Sequence, residues 1–304
     1  MKVVYLGTPD FAVKPLEAIN NSKHEILAVV TQPDRPFGRK AVITPCAVKQ
    51  TAKSLGLKAL SYEKIRLEGV EDLKALNPDI MVTCAFGQIL SSEILNIPKY
   101  GVINIHASLL PKYRGSAPIQ YSVINGDKTT GITIMQTDVG VDTGDILMQK
   151  EIEIFPDETA GELFDRLSIL GAEIITQALD DIEAGVITRT HQDEALATHV
   201  KMLSKKDGII DFSKSAIDIK NLVRGLNPWP IAYTYFGDKT LKVYKAEVSP
   251  IKGNVGEVLS LDNGITIGSG ENSITLVEVQ LEGSKKMTAK EFLLGHKINV
   301  GYKF

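Results

Sequence analysis

Over the first 185 residues, short unbroken apolar runs alternate with stretches whose apolar residues recur at helical spacing. VVYLG (3–7), EILAVV (25–30), LKAL (57–60), DIMVTCA (79–85) and GVINIH (101–106) read as strands, and such continuous runs are expected when helices cover both faces of a sheet. Thr8 or Asp10 is placed to cap a helix through Asn20. Thr44 and Pro45 are placed to open a second helix that reaches about Leu55 and ends at Gly56. GITIMQ (131–136) and DILMQKEIEI (145–154) are later strands. From Thr159 to Glu183, Leu163, Leu167, Leu170, Ile174 and Ile175 mark one face of a long helix. The pattern predicts an α/β domain with a mainly parallel sheet over residues 1–185.

The pattern changes at residue 186. Residues 186–207 are polar, show no sustained period, and are expected to be a linker. Residues 208–304 then alternate short strands with turn residues: AYTYF (232–236), LKVYKAEV (241–248), GEVLSL (256–261), GITIG (264–268) and SITLVEVQL (273–281). A helix is expected from about Ser215 to Gly225, and another where Thr288 and Glu291 have capping-box spacing. Short strands of this kind predict a small C-terminal β-barrel. Trp229, between Pro228 and Pro230, is expected to anchor packing between barrel and helix.

Composition adds boundaries. At 304 residues and 43% hydrophobic, the chain is long enough for two cores. No apolar run approaches the ~20 residues of a membrane helix, and no signal-peptide pattern opens the chain. A cytoplasmic protein with no membrane partner is expected. Cys46 and Cys84 are the only cysteines and stand outside any metal-ligand spacing, so neither a disulfide framework nor a metal site is expected. The net charge of −3 divides unevenly: residues 201–304 hold 15 Lys and Arg against 11 Asp and Glu. A mildly basic C-terminal part suits a polyanion but does not require one.

Two stretches carry chemistry. In NIHASLLPKYRG (104–115), Asn104 and His106 share one strand face at its C-terminal end, where ligands of open α/β sheets bind. An amide can donate to a developing oxyanion, and an imidazole can donate or move a proton. In DVGVDTGDI (138–146), Asp138, Asp142 and Asp145 surround Gly140 and Gly144. One of these carboxylates is the expected partner of the His106 ring, and spacing alone does not say which. GTPDF, after the first strand, lacks the glycines of a dinucleotide fingerprint.

NIHASLLPKYRGSAPIQ followed by GVDTGDI resembles the signature of the formyltransferases that use 10-formyltetrahydrofolate. The resemblance continues through GTPDFAV (7–13), TQPDRPFGRK (31–40), CAFGQIL (84–90), LSKKDGIIDFSKSA (203–216) and RGLNPWPIAYT (224–234). It implies a Rossmann-like formyl-transfer domain joined to a C-terminal barrel of oligonucleotide-binding type that binds tRNA. It implies that Asn104, His106 and Asp142 are catalytic. The implied folate site comprises Phe86, Gly87, Gln88, Ile89 and Leu90; Ser108, Leu109, Leu110 and Pro111; and Asp138, Val139 and Gly140. Arg35, Arg39 and Lys40 are the implied tRNA contacts. The implied reaction is formyl transfer from the folate co-substrate to the amino group of methionyl-initiator tRNA, by a monomer without a metal. Two alternatives stand beside it: the same chemistry on a small amine such as an amino-sugar nucleotide, and a catalytically silent RNA-binding protein.

Overall fold

The apolar runs of the first half form one seven-stranded sheet. The computed structural model describes residues 1–38 and 41–304, the side chain of Phe37 excepted. Its strands are β1 (Lys2–Gly7), β2 (Glu25–Thr31), β3 (Arg35–Phe37), β4 (Val42–Thr44), β5 (Ala59–Ser61), β6 (Ile80–Cys84), β7 (Val102–His106), β8 (Arg114–Gly115), β9 (Thr129–Gln136), β10 (Ile146–Glu153) and β11 (His199–Val200). The large sheet has the order β10-β9-β7-β6-β1-β2-β5. From β5 to β7 every pairing is parallel, and β9 joins β7 antiparallel. The other strands of this half form two small pairs, β3 with β4 and β8 with β11.

The helices are α1 (Val13–Asn20), α2 (Ala47–Ser54), α3 (Ile65–Glu68), α4 (Val70–Leu76), α5 (Ser92–Leu95), α6 (Pro118–Ile124) and α7 (Ala160–Ala184). One sheet face is sealed by a core in which Val4, Leu6, Met81 and Val102 meet Ile65, Leu73 and Ile94. α7 lies against Ile105 of β7, where a side chain at Gly171 would press on the Ile105 methyl at 3.2 Å. With Ile105 turned to α7, Asn104 and His106 face the other way, in line with Val102.

The local start signals need correction. Thr8 and Asp10 make no capping bond: the chain takes a short 3-10 turn over Asp10–Ala12, and the Thr8 hydroxyl donates to the Phe86 carbonyl. α2 opens at Ala47, after an uncapped Cys46, rather than at Pro45.

The chain divides into two compact units, and the division interleaves. The first holds residues 1–115, 130–152 and 164–200; the second holds 116–129, 153–163 and 201–304. Two stretches expected inside the first domain therefore belong to the second unit. The physical reason is apolar: Ala117 is buried in the second unit's core, with Tyr121 and Ile124 packed against it. The expected linker divides too. Its residues up to Val200 pair within the first unit, and from Lys201 onward they join the second. A capping box of Ser204 and Asp207 closes a 3-10 turn there.

The second unit is built on β12 (Ala232–Phe236), β13 (Lys239–Ser249), β14 (Val258–Ser260), β15 (Ile265–Gly268), β16 (Ser273–Leu281) and β17 (Met287–Thr288). They form one antiparallel sheet in the order β12-β13-β16-β15-β14, with β17 on β16. Register shifts in β13 around Lys245 are the kind of bulge that lets a small sheet curl into a half-barrel. α8 (Ala216–Gly225) is capped by Ser215, and α9 (Ala289–Gly295) by the Thr288–Glu291 box. The core is sealed by Leu226, Phe292 and the inner faces of the strands. Trp229 is 52% exposed, so it is not the expected packing anchor.

Candidate active site

Parallel β1, β2, β6 and β7 end on one edge of the sheet, and the loops that follow them gather there. Asn104 and His106 come from the last turn of this edge. Asn104 stands opposite Thr83 on β6, whose hydroxyl reaches the Asn104 Oδ1 at 2.9 Å. The same hydroxyl also lies 3.1 Å from the Ile103 carbonyl and shares its one hydrogen between the two oxygens; with Oδ1 turned to Thr83, Nδ2 faces outward. Nδ2 meets Asp142 Oδ1 at 3.5 Å. His106 is buried, and its Nε2 lies 2.9 Å from the Tyr113 carbonyl. A carbonyl only accepts, so Nε2 carries a proton there. Nδ1 is left facing Asp142 Oδ2 at 3.7 Å.

Asp142 reaches this point by an indirect route. Its loop leaves β9 at the other end of β7, where Thr137 N–H bonds to the Val102 carbonyl, and then rises over the sheet face. Asp142 takes a left-handed backbone, with φ of 54°. Its Oδ2 accepts the Gly115 N–H at 2.8 Å. Gly115 itself has a φ of 113°, and a side chain there would collide with the Val200 carbonyl.

The two other carboxylates of the loop are turned elsewhere. Asp138 Oδ1 accepts from Gly140 N–H and the Thr143 hydroxyl, and Asp145 Oδ1 faces His191 at 3.2 Å. The choice among the three that spacing left open thus falls on Asp142 by geometry.

The other predicted residues differ in what they present. Phe86 and Leu90 belong to the core of the first unit. Gln88 is used internally: its Nε2 donates to the Tyr62 carbonyl and its Oε1 accepts from Ile65 N–H. Ile89 and Val139 stand 73% and 78% exposed, so they are the apolar surfaces on offer. Gly87 is exposed with a left-handed φ of 80°, and Gly140 is exposed in its turn. Ser108 is buried, and its hydroxyl donates to the Lys112 carbonyl. Leu110 is buried as well; Leu109 and Pro111 are half-buried. Thr133 and Gln149 hold this loop through the Ser108 and Leu110 backbones.

A cavity of about 700 Å³ is lined by residues that include Leu95, Tyr100, Gly101, Thr137, Asp138 and Val139. It shares Asp138 and Val139 with the expected folate residues and none of 86–90. Arg35 pairs with Glu63 at 2.7 Å, both exposed, a pair worth about 0–1 kcal/mol that an anion can displace. Arg39 and Lys40 lie outside the described residues.

Sequence reasoning missed Thr83, Tyr113 and Gln192. Tyr113 lay inside the quoted motif but acts through its carbonyl. Gln192 lies in the presumed linker and carried no signal.

The formyl transferase family model matches residues 1–179, and that of the formyl transferase C-terminal domain matches residues 202–297. The chain belongs to the formyl transferase family. Two relatives similar in sequence to it over nearly its whole length share a name. A methionyl-tRNA formyltransferase from Geobacter metallireducens is 48% identical over 99% of this chain and 97% of its own. One from Lachnospira eligens is 46% identical over 99% and 98%. Among solved structures, the N-formyltransferase from Helicobacter canadensis, in complex with folinic acid and dTDP-3-aminofucose, superposes with a TM-score of 0.70 at 19% identity, covering 94% of this chain and all of that one. A 4-N formyltransferase from Francisella tularensis gives 0.61 at 21%, over 76% and 91%. At such identities the structural likeness speaks for the fold.

Proposed function

We propose that this chain transfers the formyl group of 10-formyltetrahydrofolate to the amino group of methionyl-initiator tRNA, in the cytoplasm. The observation that carries the chemistry is the meeting of Asn104, His106 and Asp142 at the end of β7. The full-length similarity to methionyl-tRNA formyltransferases supports the acceptor.

In this reading the acceptor amine attacks the formyl carbon, a new C–N bond forms, and the carbonyl oxygen takes the negative charge. Asn104 Nδ2 and the His106 ring, protonated at Nδ1 for this step, stabilise that oxyanion; one such donor is typically worth ~2.7–4 kcal/mol. Asp142, at the junction of both side chains, accepts the proton that the amine sheds. Collapse of the intermediate breaks the bond to N10, and His106 or a water relays a proton to that nitrogen. The pterin lies against exposed Ile89 and Val139 and the loop at Asp138. Arg35, Arg39 and Lys40 contact the acceptor end of the tRNA.

The test is a transfer assay with labelled 10-formyltetrahydrofolate, offering charged initiator tRNA and an amino-sugar nucleotide separately. Transfer to the tRNA alone is expected. Transfer to the sugar alone would establish the small-amine reading, and no transfer with intact RNA binding would establish the silent one.

A further inference from the structure

Asp142 does not hold its position alone. Gln192, almost wholly buried, donates through Nε2 to the Asp142 carbonyl at 2.9 Å and to the Gly144 carbonyl at 2.7 Å. Its Oε1 accepts from Arg114 Nε at 3.0 Å. The guanidinium offers donors only, so it compels the amide oxygen of Gln192 to face it. Both amide hydrogens must then point at the loop that carries Asp142.

Arg114 is equally constrained. Its side chain is 1% exposed, and its two terminal nitrogens form a bidentate pair with Glu194, whose side chain is 67% exposed. The residue after it, Gly115, supplies the N–H that binds the Asp142 carboxylate. Residues 114–115 and 192–194 therefore grip Asp142 at its carboxylate and at its backbone. A left-handed Asp persists only where its surroundings hold it.

We infer that Gln192, keyed by the buried Arg114 guanidinium that Glu194 holds from the surface, is a positioning residue that sets Asp142 against Asn104 and His106. This rests on the catalytic reading of Asp142. Gln192 touches no reacting atom, and its work is to hold the carboxylate within reach of two side chains from another strand. A small displacement of a positioned group lowers turnover without loosening substrate binding.

The deciding variant is Gln192→Glu. Its carboxylate still satisfies the buried guanidinium, so the fold is kept, but it sets oxygen against both loop carbonyls. A fall in kcat of roughly tenfold or more is expected, with KM for folate and tRNA within about twofold. Gln192→Asn, one methylene shorter, should lose part of that rate. Arg114→Lys, which keeps a donor toward Oε1, should lose less than Arg114→Met.

A double-mutant cycle separates positioning from general destabilisation. Gln192→Glu on top of Asp142→Asn should cost almost nothing further, because the group being positioned is already gone. An additive loss, or a Gln192→Glu enzyme with wild-type kcat and an unaltered melting temperature, overturns the inference. If Asp142→Asn alone retains wild-type turnover, it is the catalytic reading that fails. If Gln192→Glu does not fold, the cycle is run with Gln192→Asn and the same two outcomes decide.

Discussion

His106 and Asp142 face each other with Nδ1 3.7 Å from Oδ2, while the opposite ring nitrogen of His106 is taken by the Tyr113 carbonyl at 2.9 Å. Because the Tyr113 carbonyl claims a proton on Nε2, Nδ1 is the position at which the ring gains or loses one, and it lies on the side of Asp142 and Asn104. His106→Ala and Asn104→Ala are each expected to lower turnover by about 10²–10³-fold, the usual cost of an oxyanion donor. Circular dichroism should show an unchanged fold. Near wild-type turnover in either folded variant would sink the catalytic assignment.

The three loop aspartates should separate cleanly. Asp142→Asn keeps an oxygen for Gly115 N–H but removes the charge beside His106, so kcat should fall by roughly 10²-fold or more. Asp145→Asn disturbs only an exposed contact to His191 and should change kcat by less than about threefold. Asp138→Asn loosens the Gly140–Thr143 turn and should act mainly on KM for folate. A larger kcat defect in Asp138→Asn than in Asp142→Asn would reverse the roles.

A fragment ending at residue 200 should behave poorly. It would keep α6 without α8, although the two pack together and Tyr121 and Ile124 lie on the second unit's core. Each of these partly buried side chains so uncovered forfeits a share of the roughly 1.5–3 kcal/mol that full burial supplies. Aggregation, or a broad melt well below that of the full chain, is expected. A monomeric fragment with a sharp melt, by size-exclusion chromatography and calorimetry, would show instead that the units are separable at that residue.

His24 provides the pH dependence. It is buried, with Nε2 on Asp180 and Nδ1 on the Met1 amine, and its pKa is lowered, by burial first and by that ammonium second. A histidine that stays neutral in the fold while the unfolded chain protonates contributes stability above the unfolded pKa of about 6.5, lost as pH falls below it. The melting temperature should therefore drop between roughly pH 7 and 5. His24→Gln, which can keep one donor and one acceptor, should flatten that segment of the curve. An identical slope in the variant would assign it to other groups.

The loop from Asp34 to Thr44 carries the tRNA prediction, and for Arg39 and Lys40 it rests on sequence. Arg39→Ala should raise KM for methionyl-tRNA or lower kcat, with folate binding unchanged. Lys40→Ala should weaken affinity and reduce its salt dependence by about one phosphate contact. Steady-state kinetics at two salt concentrations check both, and wild-type values throughout would make the loop a bystander.

The sequence by itself determined whatever one element's periodicity decides. Apolar runs marked the strands, period two put Asn104 and His106 on one face, the helix expected from about Ser215 starts there, and the Thr288–Glu291 capping box lies where its spacing placed it. Tertiary structure decided the partners. Asp138, Asp142 and Asp145 are alike in the chain, and only the climb of their loop from Val102 brings Asp142 to the ring. Residues 186–200 read as a linker because their few ordering bonds are long-range: Arg114 meets Glu194 across 80 residues, and Gln192 meets Asp142 across 50. Residues 116–129 sit inside the first domain by order and in the second unit by packing, because an apolar helix face is legible locally whereas the core that buries it is not. Backbone periodicity is local, but a hydrogen-bond partner is fixed by distance in space, and that distance exists only once the chain has folded.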